Sequence, residues 1–353
     1  MSSVRFRSQK SEWDPDYRKK CVRSGICLLV LAVLLVLAVL LSLWAGSYDT
    51  PVTELVKGMF GQAEDQRVNI VVQNIRLPRV CTAIVAGGGL GVTGCILQAV
   101  LENPLASSST LGVSQGAGFG AALAIIGLGA GTMTNGGFVI SLCAFGGSMA
   151  VALLILGISR VCQVTPETIV LSGVAISSMF TGGTTLLQYF ADDVELAQLV
   201  FWTFGDLGSA SWDEIRFMAV VVLAACGYFF LRRWDFNALL GGRETAISLG
   251  VHVRGLIMVN LLLCCFATST IVSNVGLISF IGLIAPHMVR MVTGNNHVYL
   301  IPGSILAGST LLLLGDLFAR TVVSPVILPI GAITSFLGAP LFLYLLFRGR
   351  GRG

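Results

Sequence analysis

The chain has 353 residues, a mass of 37.2 kDa, 55% hydrophobic residues, only 11% charged residues, a formal net charge of +4 and a mean hydropathy of +0.85. A soluble domain carries about 25% charged residues, so most of this chain is expected to face lipid. A soluble enzyme, a disordered regulator, a disulfide scaffold and a nucleic-acid binder are excluded on that ground. The nine cysteines are odd in number, show no CxxC spacing and sit mostly in apolar runs, where a thiol acts as a small hydrophobe.

In chain order, residues 1–25 form a basic tail with Arg5, Arg7, Lys10, Arg18, Lys19, Lys20 and Arg23. It has no small-residue cleavage site, so an uncleaved first span over 26–46 follows. A spanning helix needs about 20 apolar residues. By that measure further spans lie near 79–100, 111–127, 136–158, 166–190, 213–231, 254–272, 276–292, 299–318 and 327–347, the third and eighth being short. The expected architecture is an all-α polytopic membrane protein of about ten helices. The body runs over 26–348, with a short tail at 349–353. Ten spans put both termini on one side. Segments on that side hold 16 Lys and Arg against six on the other (Lys57, Arg67, Arg76, Arg79, Arg216 and Arg320). The positive-inside rule places both termini in the cytoplasm. The outer segment 192–214 is acidic.

Glycine repeats at Gly87 and Gly91, and at Gly112, Gly116 and Gly120, predict helix faces that allow close backbone approach. Gly89, Gly91 and Gly94 match GxGxxG, but inside a span with no preceding strand, so no dinucleotide site is expected. The only lysines are Lys10, Lys19, Lys20 and Lys57, and none completes a GxxxxGK[ST] loop. The chain therefore carries no Walker ATP site of its own and no cofactor or metal is assigned to it. The spans are nearly free of ionisable groups, which argues against a proton relay. His287, beside Pro286, is read as a helix-end packing residue.

The longest inner loop, about 235–253, places Ala246, Leu249 and Gly250 at helical spacing over about two turns. A short amphipathic helix there suits docking into a partner's groove.

Several stretches in one order carry a family resemblance. They are Arg76-Leu77-Pro78-Arg79, Gly94–Gln98 with Asn103-Pro104-Leu105-Ala106, and Leu111-Gly112-Val113-Ser114. Leu249-Gly250-Val251, Gly276–Arg290, Asp316 with Arg320, and Leu328-Pro329-Ile330-Gly331 follow. The chain resembles the FecCD/BtuC-type permeases of ABC importers for iron–siderophores, haem and cobalamin. The resemblance implies a BtuC-like permease fold in a prokaryotic cell (inner) membrane. It implies a homodimer on two ATPase subunits that hold ATP and Mg, and an external substrate-binding protein. Arg76, Arg79 and Arg320 would receive carboxylates of the binding protein. Gly242, Glu244, Ala246, Leu249, Gly250 and Val251 would form the ATPase-coupling segment. Asn103, Pro104 and Leu105 would form a cytoplasmic gate, with a second gate near Pro166 and Glu167 that departs from its relatives. Iron(III)-siderophore is the favoured cargo class. The rival readings are an ion-coupled secondary transporter, with ion ligands near the bilayer midplane, and a non-transporting membrane scaffold.

Overall fold

Each apolar run becomes a helix because backbone polar groups inside lipid must be satisfied within the segment. The computed structural model describes residues 15–45, 51–161 and 166–350. The first helix, α1 (Pro15–Trp44), already includes residues 15–25 of the expected tail. At the face where α1 ends, termed the outer face as opposed to the inner face where α1 starts, follow α2 (Val52–Met59) and α3 (Gln66–Val71), the latter capped by Asp65, whose carboxylate accepts from Arg67 N at 2.8 Å. One wide turn, Val72–Arg76, leads into α4 (Leu77–Val100). Next come α5 (Val113–Ala122), which continues as a wide turn to Gly127, then α6 (Gly136–Val161) and α7 (Pro166–Phe190). The second gate expected near Pro166 and Glu167 falls at the start of α7, where the side chains of both residues, and residues 162–165 before them, lie outside the described residues.

The acidic outer segment holds a helix that hydropathy alone does not reveal, α8 (Asp193–Phe204). It starts with a capping box in which Asp192 and Glu195 exchange side-chain to backbone bonds, the Asp-x-x-Glu signal of a helix start. Ser211 and Glu214 open α9 (Trp212–Leu231) the same way. The inner loop contains α10 (Arg233–Leu239) and α11 (Arg243–Ser248). The body closes with α12 (Val253–Val275), α13 (Ile281–Thr293), α14 (His297–Thr321) and α15 (Ile330–Arg350).

Each of the ten expected spans coincides with a helix over most of its described length. Among the described residues seven helical segments are long and apolar enough to cross a membrane, and three shorter apolar ones, 113–127, 281–293 and 330–345, complete the set. The eighth span is shorter than expected. Residues 276–280 run non-helically, and α13 begins only at Ile281, after Phe280 at φ +67°. Thirteen residues reach about 20 Å, short of the ~30 Å hydrocarbon thickness. The non-helical approach is tolerated because it is walled by protein: a Cβ on Gly276 would meet Trp202 O and the backbone of Gly205.

The centre of the body is α4. In its most apolar window 83% of residues are buried, against 17% for α1, whose outward face of Leu29, Val33, Leu37 and Leu40 is left for lipid. α4 packs on α14 where Gly87 and Gly91 oppose Gly308 and Ser304, and on α13 where Gly94 meets Gly282 O. α5 packs on α6 through Gly116 and Gly120 against Gly147 and Cys143. Gly112 departs from the expected stripe: it caps the start of α5 at φ +89° and faces Ser177 of α7. The GxGxxG glycines are thus helix-packing residues inside α4.

Candidate functional site

Two polar seams cross the apolar body, one at each face. The outer seam forms where α1 ends. The last carbonyls of a helix have no partner within it, and α1 has no basic residue in its own last turn. Other elements supply the donors. Arg76 donates to Leu43 O at 2.7 Å, and Arg320 donates to Ser42 Oγ at 2.6 Å and Ala45 O at 3.2 Å. Arg320 also pairs with Asp316 at 2.9 Å, and Asp316 pairs with Arg79 at 2.8 Å. Arg79 reaches Asp206, in the loop after α8, at 3.4 Å. Asp316 is fully buried, which is sustainable only because two guanidinium groups serve its two oxygens.

Arg76, Arg79 and Arg320, expected as contacts for a binding protein, are also engaged within the chain. Arg76 and Arg79 are only 4% and 7% exposed, and all three side chains hold α1, α4 and α14 together. The cause is the demand of α1's terminal carbonyls and of Asp316. Neither an orphaned carbonyl nor its distant donor is visible in a linear motif. Beside this seam lies a cavity of about 590 Å³ bounded by Arg79, Trp202, Asp206, Asn274 and Pro329.

The inner seam joins the loop 232–252 to the body. Asn237 accepts from His297 N at 2.8 Å and donates to Asn296 Oδ1 at 3.0 Å, which pins α10 to the start of α14. From there α11 is a rigid knob. Gly242 at φ +94° starts it, and its end is a Schellman motif. Gly250 N donates to Ile247 O at 2.9 Å and Val251 N to Ala246 O at 3.0 Å, with Gly250 in the left-handed region at φ +86°. That closure explains the Leu249-Gly250-Val251 motif physically. It also corrects the expected two-turn helix: Leu249 and Gly250 are the cap, not part of the helical face. Ala246 is fully buried and anchors α11 inward. The apolar surface offered outward is Ile247, 60% exposed, and Leu249, 67% exposed, beside exposed Glu244. Ile247 is a candidate contact the sequence reading missed; alternation of Ala246 inward and Ile247 outward needed the helix phase.

The Asn103-Pro104-Leu105 turn lies beneath α4 on the same face. Asn103 Oδ1 accepts from Leu105 N at 2.9 Å, an Asx turn, and Ala106 N donates to Asn103 O at 3.1 Å. Pro104 and Leu105 remain exposed. Next to it, Ser109, Thr110, Gln115, Ser177, Ser178 and Thr181 line an uncharged cavity of about 460 Å³ between α5 and α7. His287 packs its ring edge-to-face on Phe342 of α15 at 6.0 Å. Among the described residues no three His, Cys, Asp or Glu side chains converge as metal ligands would.

These features define an all-α polytopic membrane body with a short, exposed helix, α11, in the loop between α9 and α12. Comparison with known proteins carries the assignment further. The FecCD transport family profile matches residues 34–348. Hemin transport system permease protein HmuU of Yersinia pestis is 36% identical over 323 residues, 91% of this chain and 96% of that one. Vitamin B12 import system permease protein BtuC of Klebsiella pneumoniae is 34% identical, covering 94% of this chain and 96% of that one. A solved inward-facing structure assigned to the metal-chelate type of ABC transporter superposes with a TM-score of 0.80 at 31% identity, over 91% of this chain and 98% of that one. The chain belongs to the FecCD transport family and has the fold of the BtuC-like ABC permeases.

Proposed function

We propose that this chain is the membrane permease subunit of an ATP-driven importer that passes a metal chelate from an external binding protein to the cytoplasm. It works as two copies of itself on two ATPase subunits, which hold ATP and Mg, in a prokaryotic cell membrane with both termini cytoplasmic. The observation that carries this reading is α11. The six-residue α11, closed at its C-terminal end by the Schellman motif and anchored by Ala246, leaves Ile247 and Leu249 exposed on a chain with no ATP-binding loop. Exposed apolar side chains on a fixed knob are costly unless a partner covers them.

The chain performs no chemistry in this account. ATP favours one arrangement of the ATPase pair, and the two α11 knobs follow it. Because only residues 249–252 separate α11 from α12 and α12 packs on α4, the shift tilts the central helices as a two-state change. The turn at Asn103, Pro104 and Leu105 closes the inner end of the path. The hydroxyl-lined, uncharged cavity at Ser109, Ser177 and Thr181 supports a cargo rich in oxygen ligands, and we take iron(III)-siderophore as the cargo. Relatives are named for the transport of hemin, Fe(3+)-citrate and vitamin B12. At the outer face, Arg76, Arg79 and Arg320 against Asp206 and Asp316 leave one surplus positive charge, which supports an acidic binding protein docking over this seam.

The test is affinity purification of the chain from its native membrane in mild detergent, with mass spectrometry. A stoichiometric ATPase subunit is the expected companion. Its reproducible absence, in a preparation that still transports on an ion gradient, sinks the reading in favour of a secondary transporter.

A further inference from the structure

We propose that the ion pair between Glu102 and Arg243 is the link that couples α11 to the inner turn at 101–106. This rests on the coupling reading above and names the residues that transmit it. Arg243 Nε stands 2.7 Å from Glu102 Oε1, 141 positions apart in the chain.

Both residues stand where local physics disfavours them. α4 ends in a Schellman motif: Glu102 N donates to Ala99 O at 3.3 Å and Asn103 N to Gln98 O at 3.2 Å. The left-handed position of that motif is usually glycine, as it is at Gly250 on α11. Here it is Glu102, at φ +47°. A glutamate is strained there and also places a negative charge at a helix C-terminus, the end that favours cations. Arg243 has the mirror-image misfit: it is the first residue of α11, a cation at the end that favours anions. Exchanging the two charges would suit both helices. The arrangement found suits only the bond between them.

The pair is partly open to water, with side chains 31% and 40% exposed. An exposed pair contributes little to stability, which fits a contact that must follow a moving partner rather than lock a core. It is a side-chain bond between α11 and the inner turn, and it lies one residue from Asn103 on one side and one from Gly242 on the other.

The experiment uses the chain as purified from its native membrane with its companion ATPase, in lipid nanodiscs. Hydrogen exchange of segments 101–106 and 243–250 is compared with and without a slowly hydrolysed ATP analogue plus Mg. The amides of Asn103, Leu105 and Ala106 report the turn, since each donates a bond within it or to the end of α4. In the natural chain both segments should respond to nucleotide. Glu102→Gly supplies the residue the cap prefers, so it should fold at least as well. Yet the nucleotide response of 101–106 should fall about fivefold or more, the lower end of a typical coupling, while that of 243–250 persists. Arg243→Gln should do the same, and the double exchange Glu102→Arg with Arg243→Glu should restore the response. A full response of 101–106 in Glu102→Gly overturns the link while leaving the coupling reading intact. No nucleotide response at 243–250 in the natural chain overturns both.

Discussion

Asp316→Asn tests the outer seam most sharply. The substitution keeps the shape but removes the charge that two arginines share at 2.8 and 2.9 Å. The amide can offer its oxygen to only one of them. Breaking a buried ion pair by removing one partner costs roughly 3–5 kcal/mol. Two features reduce the loss: Arg79 keeps Asp206, and Arg320 keeps Ser42 and Ala45 O. We therefore expect about 3 kcal/mol. Asp206→Asn is the control. Its carboxylate is 56% exposed and 3.4 Å from Arg79, so it should cost about 1 kcal/mol or less. Thermal unfolding in one detergent, followed by the loss of monodisperse protein, ranks the two. Equal destabilisation by both, or none from Asp316→Asn, would refute the argument that a buried carboxylate organises this seam. A cycle with Arg320→Gln should show the two losses to be strongly non-additive, because they remove the same bond.

Other expectations follow from packing and exposure. Gly94→Ala drives a methyl into Gly282 O. Overpacking costs roughly 1–3 kcal/mol, and a backbone obstacle that cannot rotate away puts this site at the upper end, read as lost folded yield. Gly118→Ala, also buried but with nothing within 4 Å of the new methyl, should be neutral in the same assay. Leu249→Asp should insert and fold normally yet lose its ATPase in pull-downs. Ala246→Asp, at a fully buried site, should instead lower folded yield; the reverse pattern would mean that the helix phase of α11 is wrong. Removing the surplus outer charge with Arg76→Gln should weaken binding-protein affinity and flatten its salt dependence, both measurable by titration across ionic strength.

The membrane-spanning helices were legible because a long apolar run has one solution in lipid. What the sequence left open was decided by direction and distance. The hydropathy of 276–292 gave no sign that its first five residues run non-helically, since an extended segment walled by protein is as apolar as a helix. The helix α8 was hidden by acidic residues that also write its capping box, Asp192 and Glu195. Arg76, Arg79 and Arg320 come together around the end of α1, but their targets were not legible in the sequence. Arg79 and Asp316 lie 237 positions apart, and the carbonyls of Leu43 and Ala45 carry no side-chain signature at all. The same holds at the inner face. Leu249-Gly250-Val251 could be recognised as a motif, whereas its meaning as a helix stop, with Ile247 as the outward neighbour, required the backbone.

The most direct test of the central claim is uptake. The chain, copurified with its ATPase, is reconstituted into liposomes with its binding protein and a ferric siderophore, and accumulation is measured with and without ATP. The account predicts accumulation that requires ATP on the cytoplasmic side, persists when ion gradients are collapsed, and is lost in Leu249→Asp. Accumulation that follows an imposed ion gradient and ignores ATP would contradict it.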